Sequence, residues 1–98
     1  MQMNKILGFD FQMYPLSGTT FSNVGGLYVV HTPTKWLDVG QTSDFGARLA
    51  NHDRQPDWLR NAAFEPIFIS VLRLDDETTR LAVEIRLRAN LQPICGDR

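Results

Sequence analysis

Two apolar runs separated by a very short link set the frame of this chain. Leu27 to His31 is β-branched and aromatic, and Trp36 to Gln41 follows after a turn at Thr32, Pro33 and Thr34. Such residues fit a pleated, half-buried surface. A link this short returns the second strand beside the first, antiparallel, as a hairpin. A third strand is expected over Ile67 to Leu74, with Pro66 just before it. Ser43 or Asp44 can cap a helix that sets Phe45, Leu49 and Ala50 on one face and Arg48 and His52 on another. Gln55 to Ala62 reads as a second helix, since Pro56 suits a first turn, with Trp58 and Leu59 to bury. Asp75 or Asp76 can cap a third helix, from about Thr78 to Leu91. There Glu77 complements the helix dipole and Pro93 stops the chain. Leu81, Val83, Ile85, Leu87 and Leu91 give this helix a broad apolar face. The order β-β-α-α-β-α predicts an α/β protein of the α+β type: a small three-stranded, mainly antiparallel sheet flanked by helices.

A length of 98 residues suits one domain, covering residues 1–98. Residues 1–24 form an N-terminal arm ahead of the patterned region 25–96. In the arm, Ile6 to Tyr14 alternates loosely before Pro15, as a short strand or an irregular segment, and Ser17 to Gly26 reads as loop. With 43% hydrophobic and 21% charged residues, the composition excludes a disordered or fibrous chain.

The formal net charge of −1 excludes polyanion binding driven by overall charge. Binding to a nucleic acid needs a local basic surface instead. The material for one is arginine, eight against two lysines, and its planar fork suits phosphate. Cys95 is the only cysteine, which excludes an internal disulfide and fits a reducing compartment. With only His31 and His52 beside it, no structural zinc site is expected. Asp10 and Gln12 interrupt the apolar N-terminus, so neither a signal peptide nor a membrane span is expected, and the default is a cytoplasmic protein.

The residues that carry chemistry come in an ordered series. Gly26-Leu27-Tyr28 leads into the first strand and Asp38-Val39-Gly40-Gln41-Thr42 runs along the second. Arg48 comes eight residues after Gly40, His52 four later, and Glu84 in the final helix is followed at nine residues by Pro93. This series resembles the GIY-YIG nuclease superfamily over residues 25–96. The resemblance implies hydrolysis of a nucleic-acid phosphodiester, DNA before RNA, with one divalent ion, Mg²⁺ or Mn²⁺. Carried over by position, Tyr28 would help activate the attacking water or act as general base. Arg48 would hold the scissile phosphate and stabilise its developing charge. His52 would assist proton transfer, and Glu84 would bind the metal, a Lewis acid on the phosphate. Arg54, close after His52, is a further candidate phosphate contact, with an exposed polar residue as its ordinary reading. The alternative on the same fold is a non-catalytic module that binds nucleic acid or protein, and a protein partner or second copy would supply target specificity.

Two positions depart from the superfamily. Asp38 stands where its second motif begins with tyrosine, and Gly96 stands where an asparagine often follows the proline by three. The combination of Asp38-Val39-Gly40, Asn51-His52-Asp53-Arg54, Trp58 and the tail from Pro93 to Arg98 resembles a group of short stand-alone proteins of this type. Asp38 has three readings: a second metal ligand beside Glu84, a general base replacing the phenol, or a partner that neutralises Arg48. Ordinary roles stand beside the functional ones. Tyr28 suits a core with its hydroxyl satisfied, Arg48 a solvated helix face, and Glu84 ion pairs with Arg80 and Arg88. Trp58 suits a core or interface anchor, with base stacking as the functional reading. Trp36 suits packing, and Cys95 a small buried hydrophobe.

Overall fold

A computed structural model of the protein describes residues 2–50 and 52–96. Met1, Asn51, Asp97 and Arg98 lie outside the described residues, and so does the share of the motif reading that falls on Asn51, Asp97 and Arg98. The chain forms an α+β fold. Its strands are β1 (Gln2–Ile6), β2 (Phe9–Pro15), β3 (Gly26–His31), β4 (Trp36–Thr42) and β5 (Phe68–Arg73). Its helices are α1 (Phe45–Ala50), α2 (Gln55–Ala62) and α3 (Glu77–Leu91). The five strands make one sheet in the order β1-β2-β5-β3-β4, and every pair is antiparallel.

The sheet therefore has five strands rather than the expected three, and the N-terminal arm is a hairpin. β1 pairs with β2, and β2 extends the sheet by pairing with β5 from Gln12↔Val71 to Pro15↔Phe68. The alternation that reads as loose in the sequence buries Ile6 and Phe11 in the core. The turn between these strands is hard to foresee because Leu7, a bulky residue, takes the left-handed conformation (φ 49°) ahead of Gly8. Hairpin turns of this kind ordinarily use Asn or Asp at that place.

β3 is buried along its whole length, so its alternate residues feed two cores. Tyr28 and Val30 join Leu37, Phe45, Leu49, Trp58 and Ile69 beneath α1 and α2. Leu27 and Val29 join Phe11, Val39 and Leu87 beneath α3. Asp44 caps α1, its Oδ1 accepting from the Ala47 N–H at 3.1 Å. Asp76 caps α3, accepting from the Thr79 N–H at 2.8 Å. Three expectations about burial change. Ala50 of α1 is exposed, while Phe45 and Leu49 are buried. Leu59 of α2 is 64% exposed, because Trp58 and Ala62 are the residues that α2 turns inward. On α3, Leu87 is buried and Val83 and Leu91 pack beside it, whereas Leu81 and Ile85 face outward.

Candidate functional site

The site forms where β3 and the edge strand β4 meet α1, α2 and α3. Tyr28 lies directly across from Gly40. A Cβ on Gly40 would fall 2.3 Å from both Cζ and Oη of Tyr28, so the missing side chain is what lets the phenol ring lie flat over β4. The Tyr28 hydroxyl then reaches Nε2 of His52 at 2.7 Å.

The proton on this contact follows from the other ring nitrogen. The backbone N–H of Arg54 donates to His52 Nδ1 at 3.1 Å, so Nδ1 carries the lone pair. In the neutral ring Nε2 then carries the hydrogen and donates it to Tyr28 Oη. Nδ1 also lies 3.3 Å from Asp53 Oδ1, a pairing that requires a protonated ring. Burial, followed by the charges of Arg48 and Arg54, lowers the His52 pKa to about 4. The neutral ring and the Arg54 contact therefore prevail at neutral pH. Burial also raises the pKa of Tyr28, and the nearby Arg48 guanidinium opposes that rise. Arg48 itself pairs with Asp53 at 3.0 Å on the exposed side of α1.

Asp38 sits on β4 two residues before Gly40, with its side chain completely buried. Oδ2 accepts from Arg54 Nε at 2.6 Å and from Trp58 Nε1 at 2.8 Å. Oδ1 accepts from Arg88 Nη2 at 3.0 Å and from its neighbour's Val39 N–H at 2.8 Å. A carboxylate has about four lone-pair positions, and here each has a donor. Asp38 thus has no lone pair left for a metal ion or for a proton in transit, and it pairs with Arg54 and Arg88 rather than with Arg48. Its role is to hold two guanidinium groups in place from inside the fold. Burial works against the charge of Arg54, and the Asp38 carboxylate outweighs it and raises the Arg54 pKa.

Arg88 reaches around the sheet edge, donating also to the Val39 carbonyl. The C-terminal segment covers the rest of that edge: the N–H groups of Ile94 and Cys95 donate to the carbonyls of Trp36 and Leu37 at 3.1 and 2.7 Å. Gly96 follows with φ 85°. A Cβ there would lie 2.8 Å from both Arg88 Nη2 and Asp38 Oδ1, so the departure to glycine leaves room for the ion pair beneath it.

Glu84 lies one turn before Arg88, with its side chain 24% exposed. Its 3.7 Å contact with Arg88 Nε is an ion pair too long for a hydrogen bond. Burial raises its pKa, and Arg88 counters this. Arg80, the other expected helix partner, instead donates to Gln41 Oε1 and to the carbonyls of Leu74 and Asp75. Among the described residues no group of three His, Cys, Asp or Glu side chains converges. Asp38 is saturated, Asp53 Oδ1 faces Arg48 and His52, and Glu84 keeps one oxygen away from its 3.7 Å contact with Arg88. One carboxylate fits Mg²⁺ in the mode in which the ion keeps several waters and takes substrate phosphate oxygens.

The structure brings Tyr28, Asp38, Arg48, His52 and Arg54 together by contact or by charge, whereas Glu84, on α3, is linked to Arg88, Arg54 and Asp38 and shares no hydrogen bond or ion pair with Tyr28, Arg48 or His52. Trp58 is fully buried and serves as a core anchor and as a donor to Asp38, not as an exposed stacking platform. Sequence reasoning missed Arg88 as the second cation of the site. Its spacing of four from Glu84 pointed to a helix-surface pair and concealed its reach to β4. No helix among the described residues is long and apolar enough to cross a membrane. Comparisons of the chain with protein-family models, with curated proteins and with solved structures found no match.

Proposed function

We propose that this chain is a GIY-YIG-type nuclease that binds a nucleic-acid phosphodiester at the Tyr28–Arg48–Glu84 cluster and hydrolyses it with a divalent ion. The observation that carries this reading is that Tyr28 and His52 are hydrogen-bonded, with Arg48 and Arg54 charged nearby, and that Glu84 joins Arg88, which with Arg54 is held by the buried carboxylate of Asp38. The five candidates come from four separate stretches of sequence. Arg48 and Arg54, with side chains 37% and 26% exposed, are the guanidinium groups of this cluster that reach the surface, and a phosphate would take Arg48 in exchange for Asp53.

In this reading Arg48 leaves Asp53 for a non-bridging phosphate oxygen and stabilises the charge that grows there during attack. The Asp38 network keeps Arg54 beside it as a second contact. Burial keeps the Tyr28 phenol protonated at neutral pH, so its hydroxyl orients the attacking water. The ionised fraction, held by the His52 Nε2–H and the Arg48 charge, is the base form and grows with pH. Glu84 is the residue that would hold Mg²⁺ or Mn²⁺, and a bound ion supplies Lewis-acid polarisation of the phosphate. The second reading, a phosphate-binding module without hydrolysis, is favoured by one observation: Arg48 is already paired with Asp53. Binding would then weaken with salt, and Arg48→Ala would reduce the salt slope by about one.

The test is cleavage of labelled single-stranded, duplex and branched DNA, and of RNA, with Mg²⁺, Mn²⁺ or EDTA. Metal-dependent cutting that Glu84→Ala and Tyr28→Phe both abolish, in proteins whose circular dichroism is unchanged, supports the nuclease. Salt-sensitive binding without cutting supports the module instead. Full activity in Glu84→Ala removes the metal role.

A further inference from the structure

One guanidinium joins the two halves of the site. Arg88 Nη2 donates to Asp38 Oδ1 at 3.0 Å and to the Val39 carbonyl, and its Nε lies 3.7 Å from Glu84 Oε2. The buried Asp38 carboxylate therefore fixes this guanidinium in place, with Glu84 about one helical turn before it on α3. Both side chains are mostly covered, so the charge of Arg88 acts on Glu84 through a medium that screens less than bulk water. Arg80, four residues to the other side of Glu84, is turned to Gln41, Leu74 and Asp75. The ion pairs of the cluster join three guanidinium groups, Arg48, Arg54 and Arg88, with three carboxylates, Asp38, Asp53 and Glu84. Three positive charges against three negative ones leave these paired groups, among the described residues, formally neutral.

We infer that Arg88 is a positioning residue that guards Glu84: it serves as the cation of this carboxylate, so Glu84 takes a divalent ion together with a phosphodiester and not before one. This rests on the reading of Glu84 as the metal-holding carboxylate. Two effects of Arg88 oppose each other. Holding Glu84 in one orientation favours an ion, but an ion pair as long as this one is worth at most about a fivefold gain. Repulsion works the other way. Coulomb energy scales with the product of the charges, so Arg88 repels a divalent ion twice as strongly as a unit charge at the same distance. In partly buried surroundings this lowers the affinity by about tenfold or more, and repulsion prevails. The charge of Arg54 also reaches Glu84 and adds to it. Asp38 opposes it, but that carboxylate is already shared between both arginines. A phosphodiester changes the balance. Its negative charge offsets one guanidinium, and its oxygens add ligands to a single carboxylate, the arrangement in which Mg²⁺ is ordinarily held. Arg88 thus couples the ion to the substrate, and linkage makes that coupling reciprocal.

The test is Mn²⁺ binding to the full chain, read without turnover from the electron paramagnetic resonance of free Mn²⁺. The probes are a dinucleotide with one phosphodiester linkage and the same dinucleotide with an uncharged methylphosphonate linkage. The original protein should bind Mn²⁺ weakly by itself. The phosphodiester should tighten that binding about fivefold or more, and the methylphosphonate should not. Arg88→Gln should tighten Mn²⁺ binding without any probe about tenfold, and adding Glu84→Gln should remove the gain. Arg88→Lys keeps the charge and should bind as weakly as the original protein, which separates charge from shape. Circular dichroism checks that each variant folds, since Arg88 also holds Asp38, and the dinucleotide comparison needs no variant. Mn²⁺ binding that the phosphodiester leaves unchanged, or that Arg88→Gln leaves unchanged or weakens in a folded protein, would overturn the role of Arg88. No Mn²⁺ binding in any arm would overturn it together with the metal role of Glu84. Coupled binding as expected, with no cleavage of DNA or RNA, would defeat hydrolysis and leave the role of Arg88 standing.

Discussion

Asp38→Asn is the substitution that most directly tests how the site is built. It keeps the shape of the side chain and removes the charge. One oxygen becomes an NH₂ group, so two of the four donors now around the carboxylate, either Arg54 and Trp58 or Arg88 and the Val39 N–H, face another donor. A hydrogen bond to a charged group contributes about 1.5–3 kcal/mol. Breaking one side of a buried ion pair costs about 3–5 kcal/mol. Both routes lead to a loss of roughly 3–5 kcal/mol, a large share of the ~5–15 kcal/mol that holds a domain together. At about 4–8 °C per kcal/mol for a domain of this size, Tm should fall by at least about 12 °C. Urea denaturation followed by tryptophan fluorescence measures this, because Trp58 is itself one of the donors. A variant within about 1 kcal/mol of the original protein would refute the network, and would return Asp38 to the role of an accessible base or metal ligand.

The depressed pKa of His52 sets a pH dependence. Between its ordinary value of 6.5 and its folded value of about 4, the unfolded chain binds a proton that the folded chain does not. This contribution to stability is present above pH 6.5 and is lost as the pH falls toward 4. Urea midpoints should drop between about pH 7 and about pH 5, less steeply in His52→Gln. Some slope remains there because burial also lowers the pKa of His31. Gly40→Ala should cost about 1–3 kcal/mol through the clash of its Cβ with the Tyr28 ring. It should also move the His52 titration, followed by NMR, back toward the ordinary value. Ala63→Gly should stabilise the protein by about 1 kcal/mol in the same urea assay, because Ala63 closes α2 in the left-handed conformation with φ 53°.

Local pattern made much of the architecture legible. β3 and β4 are strands because their residues suit a buried pleat, and Thr32 to Lys35 leaves no other return path. α2 runs from Gln55 to Ala62 as read from the chain, since Pro56 opens it within the sequence itself. The capping aspartates Asp44 and Asp76 act within three residues of their own positions. The candidate site residues were also legible, but as an ordered series rather than as a mechanism.

Only the tertiary structure decided what those residues do to one another. Asp38 reads from sequence as a carboxylate with three open roles. Its function as a saturated hub depends on donors 16, 20 and 50 residues away, on α2, α3 and the segment before α2. Hydrogen bonds between such distant residues leave no periodic trace. The N-terminal hairpin was hidden because its turn uses a leucine in a conformation that leucine rarely adopts. The two apolar faces of α3 merged into one broad stripe on paper, because hydrophobicity shows that a residue can be buried, not which neighbour buries it. The sheet took Leu87 and left Ile85 to solvent, a choice made by where the strands lie.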